Sequence, residues 1–204
     1  MTEQITSTAS ALVNLGRASL PKAAYLWICE RLYHEAAPLY DATAWLVSHG
    51  RWWRWARAAA DGLDGRVLEV GPGTGHLLGS LRRRGVRAVA VELSAPMARR
   101  AARGAPGAVA RGDGSQLPVA TASVDAVLLT FPAPYVLEPA FWSEAARVTR
   151  PGGRLRVLLD AGPAYLSPGS VRLQPLDARW RVRRARVRAG DVTLGLLLGK
   201  RRRV

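Results

Sequence analysis

The chain has 204 residues, 49% of them apolar, which is enough for one sizeable core and normal for a globular protein. Cys29 is the only cysteine, which excludes an internal disulfide and a cysteine-based metal cluster, and no apolar run approaches the length of a membrane span. The formal net charge is +15 and nearly all cations are arginines. Such a charge fits a nucleic-acid or anionic-membrane partner, and it equally fits a compositional bias.

The first sixty residues predict helices. Residues 1–15 are small and polar and lack the pattern of a signal peptide, so we expect a cytoplasmic protein. Apolar residues recur at helical spacing from about position 20, and a second helical stretch over 42–60 has a break near Gly50. That stretch carries four tryptophans, at positions 45, 52, 53 and 55. They either pack the helix onto the rest of the fold or form an apolar wall over a substrate or lipid.

A strand, a glycine loop and a helix follow. Arg66 to Val70 is a short apolar run typical of a buried strand, and glycines then stand at positions 71, 73 and 75. A helical pattern continues to about position 84. The dinucleotide fingerprint requires G-x-G-x-x-G, but His76 or Leu78 stands where its third glycine would fall. No Gly-Lys-Ser/Thr ending is present either, so the spacing argues against a dinucleotide site and a P-loop.

Strands and helices alternate from there on, which predicts a parallel α/β sheet. The predicted strands cover 88–91, 108–111, 124–130 and 154–159, and the predicted helices cover 96–103 and 138–149. The stretches 179–188 and 191–199 predict a hairpin around Ala189-Gly190. Apolar residues change parity along the first arm, which predicts a β-bulge near Arg183-Arg184.

Four motifs occur in order over residues 64–160. They are the E-x-G-x-G-x-G loop of 69–75, the acid Glu92 at the end of the second strand, Gly-Asp-Gly-Ser-Gln-Leu-Pro at 112–118, and Glu-Ala-Ala-Arg-Val-Thr-Arg-Pro-Gly-Gly at 144–153. Together they resemble the methyltransferase-11 type of class I S-adenosylmethionine (SAM) dependent methyltransferases, whose third stretch reads G-D-A-x-x-L-P and so has alanine where Gly114 stands in this chain. The resemblance implies an α/β fold with a Rossmann-like, mostly parallel seven-stranded sheet, an antiparallel C-terminal hairpin and an N-terminal helical lid. We expect one compact domain overall, with residues 1–60 as the lid and 61–204 as the SAM-binding part.

The position of Glu92 is where a ribose-binding carboxylate belongs in a Rossmann-like crossover, since one carboxylate accepts hydrogen bonds from both ribose hydroxyls. A solvated acid at a strand end is the alternative. The resemblance implies that Glu69 holds the methionyl ammonium group and that Asp113 accepts from the adenine amino group, although Gly-Asp-Gly also favours an Asx turn. The remaining cofactor residues that we expect are Gly71, Gly73, Gly75, Leu93, Gly114 and Thr130. We expect no metal, and structural roles for His76 and Asp125.

The methyl acceptor is less defined by the sequence. In similar methyltransferases the N-terminal lid and the loop after the fourth strand form its wall, which makes His34, Tyr40, Asp41 and Tyr135 the weak catalytic candidates. The tryptophan-rich segment favours methyl transfer to a small, mostly apolar molecule or lipid. The alternatives are an RNA methyltransferase that uses the arginine-rich hairpin, and a SAM-binding module without turnover. Because residues 160–177 are broken by prolines, a homodimer that completes an open pocket is a further alternative.

Overall fold

A computed structural model of the protein describes residues 45, 48–132, 134–161 and 177–203. The chain divides into two units, residues 1–52 and 53–204. The predicted lid, residues 1–60, lies mostly outside the described residues, as do His34, Tyr40 and Asp41, so these expectations stay predictions. Near the predicted break, a turn at His49 and Gly50 has positive φ at both residues, and helix α1 begins just after it.

Strands and helices alternate through the second unit, as the sequence predicts. The elements are α1 (Trp52–Ala60), β1 (Arg66–Val70), α2 (His76–Arg83), β2 (Arg87–Glu92), α3 (Ala95–Gly104), β3 (Val109–Arg111), β4 (Val124–Thr130), a 3₁₀ turn (Pro134–Leu137), α4 (Pro139–Val148), β5 (Thr149–Ala161), β6 (Trp180–Ala189) and β7 (Val192–Arg201). Ser94 caps α3 by accepting a hydrogen bond from the Met97 amide, and Pro139 begins α4, where its missing N–H is harmless.

The seven strands form one sheet in the order β3-β2-β1-β4-β5-β7-β6. The first five strands are parallel, and β7 lies antiparallel between β5 and β6. This confirms the predicted Rossmann-like sheet with its antiparallel hairpin. The fifth strand begins earlier than predicted: Thr149 already pairs with Val124, and an irregularity follows before Arg154 pairs with Ala126. The Pro-Gly-Gly segment therefore interrupts the ladder after its first pair.

The predicted β-bulge in the hairpin is wrong. The pairing of β6 with β7 runs without a shift from Trp180 opposite Arg201 to Ala189 opposite Val192. Trp180 is buried at one end of the strand and Ala189 at the other, and these two residues lie on opposite faces. No residue is inserted. The change of parity in the sequence arises because the strand is twisted and the rest of the protein covers one face at its start and the opposite face at its end.

Each face of the sheet carries its own apolar core. On one face, α1 and α2 cover strand residues such as Val67 and Leu128. On the other, Phe141 and Trp142 of α4 are fully buried beside β1, β4 and β5. Arg156 of β5 donates to the carbonyl of Ala59, which satisfies an acceptor at the end of α1. No helix in the described part of the chain is long and apolar enough to cross a bilayer.

Candidate cofactor site

The predicted cofactor residues meet at the carboxyl end of the parallel strands. The strand order reverses between β1 and β4, since β1 leads outward to β2 and β3 whereas β4 leads outward to β5. Such a switch point forms a crevice in which open α/β sheets bind ligands. Gly71 follows β1 there, Glu92 ends β2, and Asp113 follows β3. The fold therefore gathers residues from three separate motifs.

The glycine loop adopts conformations that favour glycine. Gly71, Gly73 and Gly75 have φ of 73°, 56° and 81°. At Gly75 a Cβ would lie 2.7 Å from the Cα of Ala101 in α3, so glycine is required there for helix packing. At Gly71 a Cβ would lie 3.3 Å from the hydroxyl oxygen of Tyr135. All three positions thus share a positive φ, and Gly75 in addition has no room for a side chain.

Glu92 ties the glycine loop to the end of β2. Its Oε2 accepts a hydrogen bond from the Gly73 amide at 3.0 Å, and its Oε1 accepts one from the Ser94 amide at 2.9 Å. The side chain is buried, so the alternative of a solvated acid does not describe it. A carboxylate has about four acceptor sites, so these two bonds are compatible with acceptance from ribose hydroxyls.

Glu69 is the least compensated polar group of the site. It is 1% exposed, and within the described residues its Oε2 has no hydrogen-bond partner. Burial, reinforced by the nearby charge of Glu92, raises the pKa of Glu69 to about 8. A buried carboxyl group with an unsatisfied oxygen suits a cationic partner, because such a partner favours the ionised form and supplies the missing hydrogen bond.

Asp113 forms an Asx turn, which is one of the two roles that the sequence predicted for it. Its Oδ1 accepts from the amide and from the hydroxyl of Ser115, both at 2.8 Å. These bonds shape the loop after β3, and the second oxygen of the carboxylate leaves acceptor capacity for a ligand amine. The structural interpretation and the adenine-binding interpretation are therefore compatible.

The same loop is clamped from α4. Glu144 accepts from the Leu117 amide at 2.8 Å, while Arg147 donates to the carbonyls of Leu117 and Val119. Arg147 also pairs with Glu144 and holds the pKa of that carboxyl below its ordinary value. The acid and the arginine of the fourth sequence motif thus position the end of the loop after β3.

Tyr135 links two of the predicted cofactor loops, which the sequence did not predict. Its hydroxyl donates to the Val70 carbonyl at 3.3 Å, and its ring packs edge-on against Phe141 at 5.5 Å. A Cβ at Gly114 would lie 3.1 Å from the ring. The resembling motif carries alanine at that position, so the glycine at 114 gives the tyrosine room.

The hydroxyl of Tyr135 lies close to the acids of the site. Its burial, followed by the charges of Glu92, Asp113 and Glu69, raises the pKa of Tyr135 above its ordinary value. The phenol therefore stays protonated at neutral pH, and it acts as a hydrogen-bond donor and not as a base. A positioning role fits this geometry better than proton abstraction.

The other predicted residues lie at the edges of the site. Leu93 is 60% exposed directly after Glu92, and Thr130 ends β4 half-buried. Phe131 follows with φ of 49°, an uncommon backbone conformation for a residue with a Cβ. His76 packs against Trp53 with ring centroids 4.2 Å apart, in agreement with its predicted structural role. Among the described residues, no cluster of three metal-ligating side chains is found.

The chemistry of this donor set fits SAM. The unsatisfied oxygen of Glu69 matches the methionyl ammonium group, and Glu92 lies where ribose hydroxyls are accepted in similar crossovers. The alternating glycines allow the backbone to approach a ligand closely. The acids Glu69, Glu92 and Asp113 all lie near the hydroxyl of Tyr135, and their charge when ionised favours a cationic ligand over a polyphosphate.

Comparison with known proteins agrees with this chemistry. Residues 68–157 match a family described as "Methyltransferase domain". The chain is 34% identical over 140 residues to a demethylmenaquinone methyltransferase of Renibacterium salmoninarum, and 38% identical over 141 residues to one of Beutenbergia cavernae. Over residues 68–157 the chain belongs to this methyltransferase domain family.

The extent of these matches is partial. Each alignment includes 66% of this chain, and the chain spans 59% and 58% of the length of these two relatives. Among solved structures, the geranyl diphosphate C-methyltransferase of Streptomyces coelicolor superposes with a TM-score of 0.60 at 19% identity, over 80% of this chain and 85% of that one. At that identity the methyltransferase likeness concerns the fold.

Proposed function

We propose that this protein transfers the methyl group of SAM to a small, mostly apolar acceptor of the lipid-quinone type. The buried Glu69, with its unsatisfied oxygen beside the glycine loop, carries the cofactor half of the proposal. The names of the relatives support the acceptor half. Glu69 would hold the ammonium group, Glu92 the ribose, and the loop of Asp113 and Gly114 the adenine.

The chemistry required of the protein is mainly positioning. SAM supplies a methyl group on a positively charged sulfur, so the leaving thioether is neutral and needs no acid. Holding the acceptor and the methyl group in line can contribute up to roughly 7–11 kcal/mol to lowering the barrier. The tether from Glu92 to Gly73 and the clamp of Arg147 on Leu117 hold two cofactor loops in fixed positions.

A base is needed only if the acceptor loses a proton when it attacks. Tyr135 is unsuited to that role because its raised pKa keeps it protonated. His34 and Asp41 remain the proposed proton acceptors, and Tyr40 a proposed acceptor contact, from the sequence. We retain residues 1–60 as the proposed lid over the acceptor, together with a cytoplasmic location and a homodimer as proposals.

The test is a product assay. The protein is incubated with methyl-labelled SAM and a reduced demethylated naphthoquinone, and the methylated quinone is sought by mass spectrometry. The Glu69→Gln variant is the matched control, and it should lose most of the product. Calorimetry in parallel should give binding of SAM and S-adenosylhomocysteine and none of NAD or ATP.

The outcomes distinguish the alternatives. Tight NAD binding without SAM binding would refute the cofactor assignment. SAM binding without labelled product from quinones, lipids or RNA would favour a binding module. Label transferred to structured RNA, and not to quinones, would make the RNA methyltransferase the better assignment.

A further inference from the structure

Strand β6 carries five arginines, and the continuous register divides them between its two faces. Arg184, Arg186 and Arg188 share one face, and we call them the upper arginines. Arg181 and Arg183 lie on the other face, where Lys200 of β7 stands directly opposite Arg181, and we call these three the lower cations. All six residues are exposed. The arginine-rich stretch is therefore two separate basic surfaces.

The two surfaces lie on opposite faces of the sheet and occupy successive halves of β6. Because β7 runs antiparallel to both β5 and β6, β6 runs in the same direction as β5 and the other parallel strands. The second half of β6 thus lies at the end of the sheet where β1 leads into Gly71 and β2 ends at Glu92. The upper arginines share the end of the sheet that holds the cofactor site. The lower cations lie on the opposite face in the first half of β6, where Arg183 is level with Glu69 in the register of the sheet.

The upper arginines are exposed side chains, and Arg188 also donates to the carbonyl of Gly190 at 3.1 Å. Their direct neighbours on β7 are Leu197, which is buried, and the small residues Gly195 and Thr193. In the order of the described strands, β6 is the outermost. Cations on an outer strand also prevent pairing between sheets, and that role would be served at either end of the strand. Prevention of pairing between sheets therefore does not explain why three cations share one face at the end of the strand near the cofactor site.

We propose that the upper arginines dock the protein on an anionic lipid bilayer, with the cofactor end of the sheet turned toward the membrane. This inference rests on the proposed function, since a lipid-like acceptor would be drawn from a bilayer. The charge of the face is complementary to anionic headgroups, and cations near such a surface attract it additively. A nucleic acid is the less suitable partner, because the described β6 offers no exposed aromatic side chain for base stacking.

The experiment measures co-sedimentation of the full chain with vesicles of equal parts phosphatidylglycerol and phosphatidylcholine, and with vesicles of phosphatidylcholine alone. Wild-type protein should bind the anionic vesicles, more weakly as salt rises. Neutralising the upper arginines together (Arg184→Gln, Arg186→Gln, Arg188→Gln) should reduce partitioning by roughly a hundredfold. The matched control removes the same charge from the opposite face (Arg181→Gln, Arg183→Gln, Lys200→Gln) and should reduce partitioning by less than about tenfold.

Three results would overturn the docking surface. They are equal losses in both triple variants, which would indicate attraction by net charge alone; no vesicle binding by the wild type; and tight RNA binding at physiological salt that depends on the upper arginines. If the glutamine variant aggregates, a lysine variant (Arg184→Lys, Arg186→Lys, Arg188→Lys) replaces it and should keep vesicle binding close to that of the wild type.

A second readout separates this inference from the proposed function. Methyl transfer to a quinone held in anionic vesicles should fall in the upper variant, while transfer to a short, water-soluble quinone should be unchanged. Vesicle binding without transfer to either quinone would refute the proposed acceptor. Equal transfer to both quinones by the upper variant and the wild type would refute the docking surface.

Discussion

Replacing Glu69 by glutamine should stabilise the protein and weaken its cofactor site. Burial raises the pKa of Glu69 from 4.5 to about 8, so the folded protein holds a proton that the unfolded chain releases. The folded state is therefore favoured most below about pH 4.5. Its stability falls as the pH rises to about 8 and is level above that value. At pH 7 the ionisation of Glu69 in the unfolded chain lowers the free energy of unfolding by about 3 kcal/mol.

Glutamine has nearly the same shape and cannot ionise. The unfolding free energy of Glu69→Gln at pH 7 should therefore exceed that of the wild type by up to about 3 kcal/mol. The excess should shrink to below about 1 kcal/mol at pH 5 and to near zero below about pH 4. Glu144→Gln is the matched control. The pKa of Glu144 is lowered by Arg147, so this change should destabilise the protein at pH 7.

Cofactor binding should show the opposite trend. If Glu69 must ionise to hold an ammonium group, wild-type affinity for S-adenosylhomocysteine should rise about tenfold between pH 6 and pH 7. Binding at pH 7 should also release about one proton. The Glu69→Gln variant should bind more weakly, without this proton release. Urea unfolding at pH 5, 7 and 8, and calorimetry in buffers of different ionisation enthalpy, measure both effects. Parallel stability curves for wild type and variant, or the absence of proton release, would refute the reasoning.

Five further substitutions test other contacts. Glu92→Ala should weaken SAM binding by roughly ten- to a hundredfold, as measured by calorimetry, because it removes charge-assisted hydrogen bonds; an unchanged affinity would remove it from the ribose site. Gly73→Val should abolish binding in a folded protein, whereas Gly75→Ala should lower the melting temperature, because its Cβ meets the backbone of α3. Tyr135→Phe should weaken cofactor binding by no more than about tenfold. Gly114→Ala should weaken it in the wild type and less in a Tyr135→Ala background, which a double-mutant cycle measures.

The sequence was most informative about polar residues that lie at or just after the end of a predicted strand. Glu92 could be predicted as a ribose-binding acid because the length of a strand and the type of residue that ends it are local properties, whereas the role of Glu69 was implied by the family resemblance. The Asx turn of Asp113 was an open alternative for the same reason. Their surroundings could not be predicted: the unsatisfied oxygen of Glu69 depends on the packing of two faces of a sheet, and the tether from Glu92 to Gly73 joins residues of different motifs.

Tyr135 shows where local reasoning ends. The sequence offered it as a weak catalytic candidate in the loop after β4. Its contacts with Val70 and Gly114 depend on how that loop folds back over β1 and the loop after β3. The sequence has glycine at 114 where the family motif has alanine. That difference could have prompted a search for a large side chain, such as that of Tyr135, that needs the space.

The glycine loop shows why a motif can identify a cofactor without explaining each of its residues. Gly71 leaves space for the hydroxyl of Tyr135, the Gly73 amide is held by Glu92, and Gly75 lets α2 and α3 approach each other. Only the first two positions border the crevice where the acids gather, so the third glycine belongs to the packing of the fold. Loss of the third glycine would therefore act on cofactor binding through folding, whereas changes at the first two would act on the site itself.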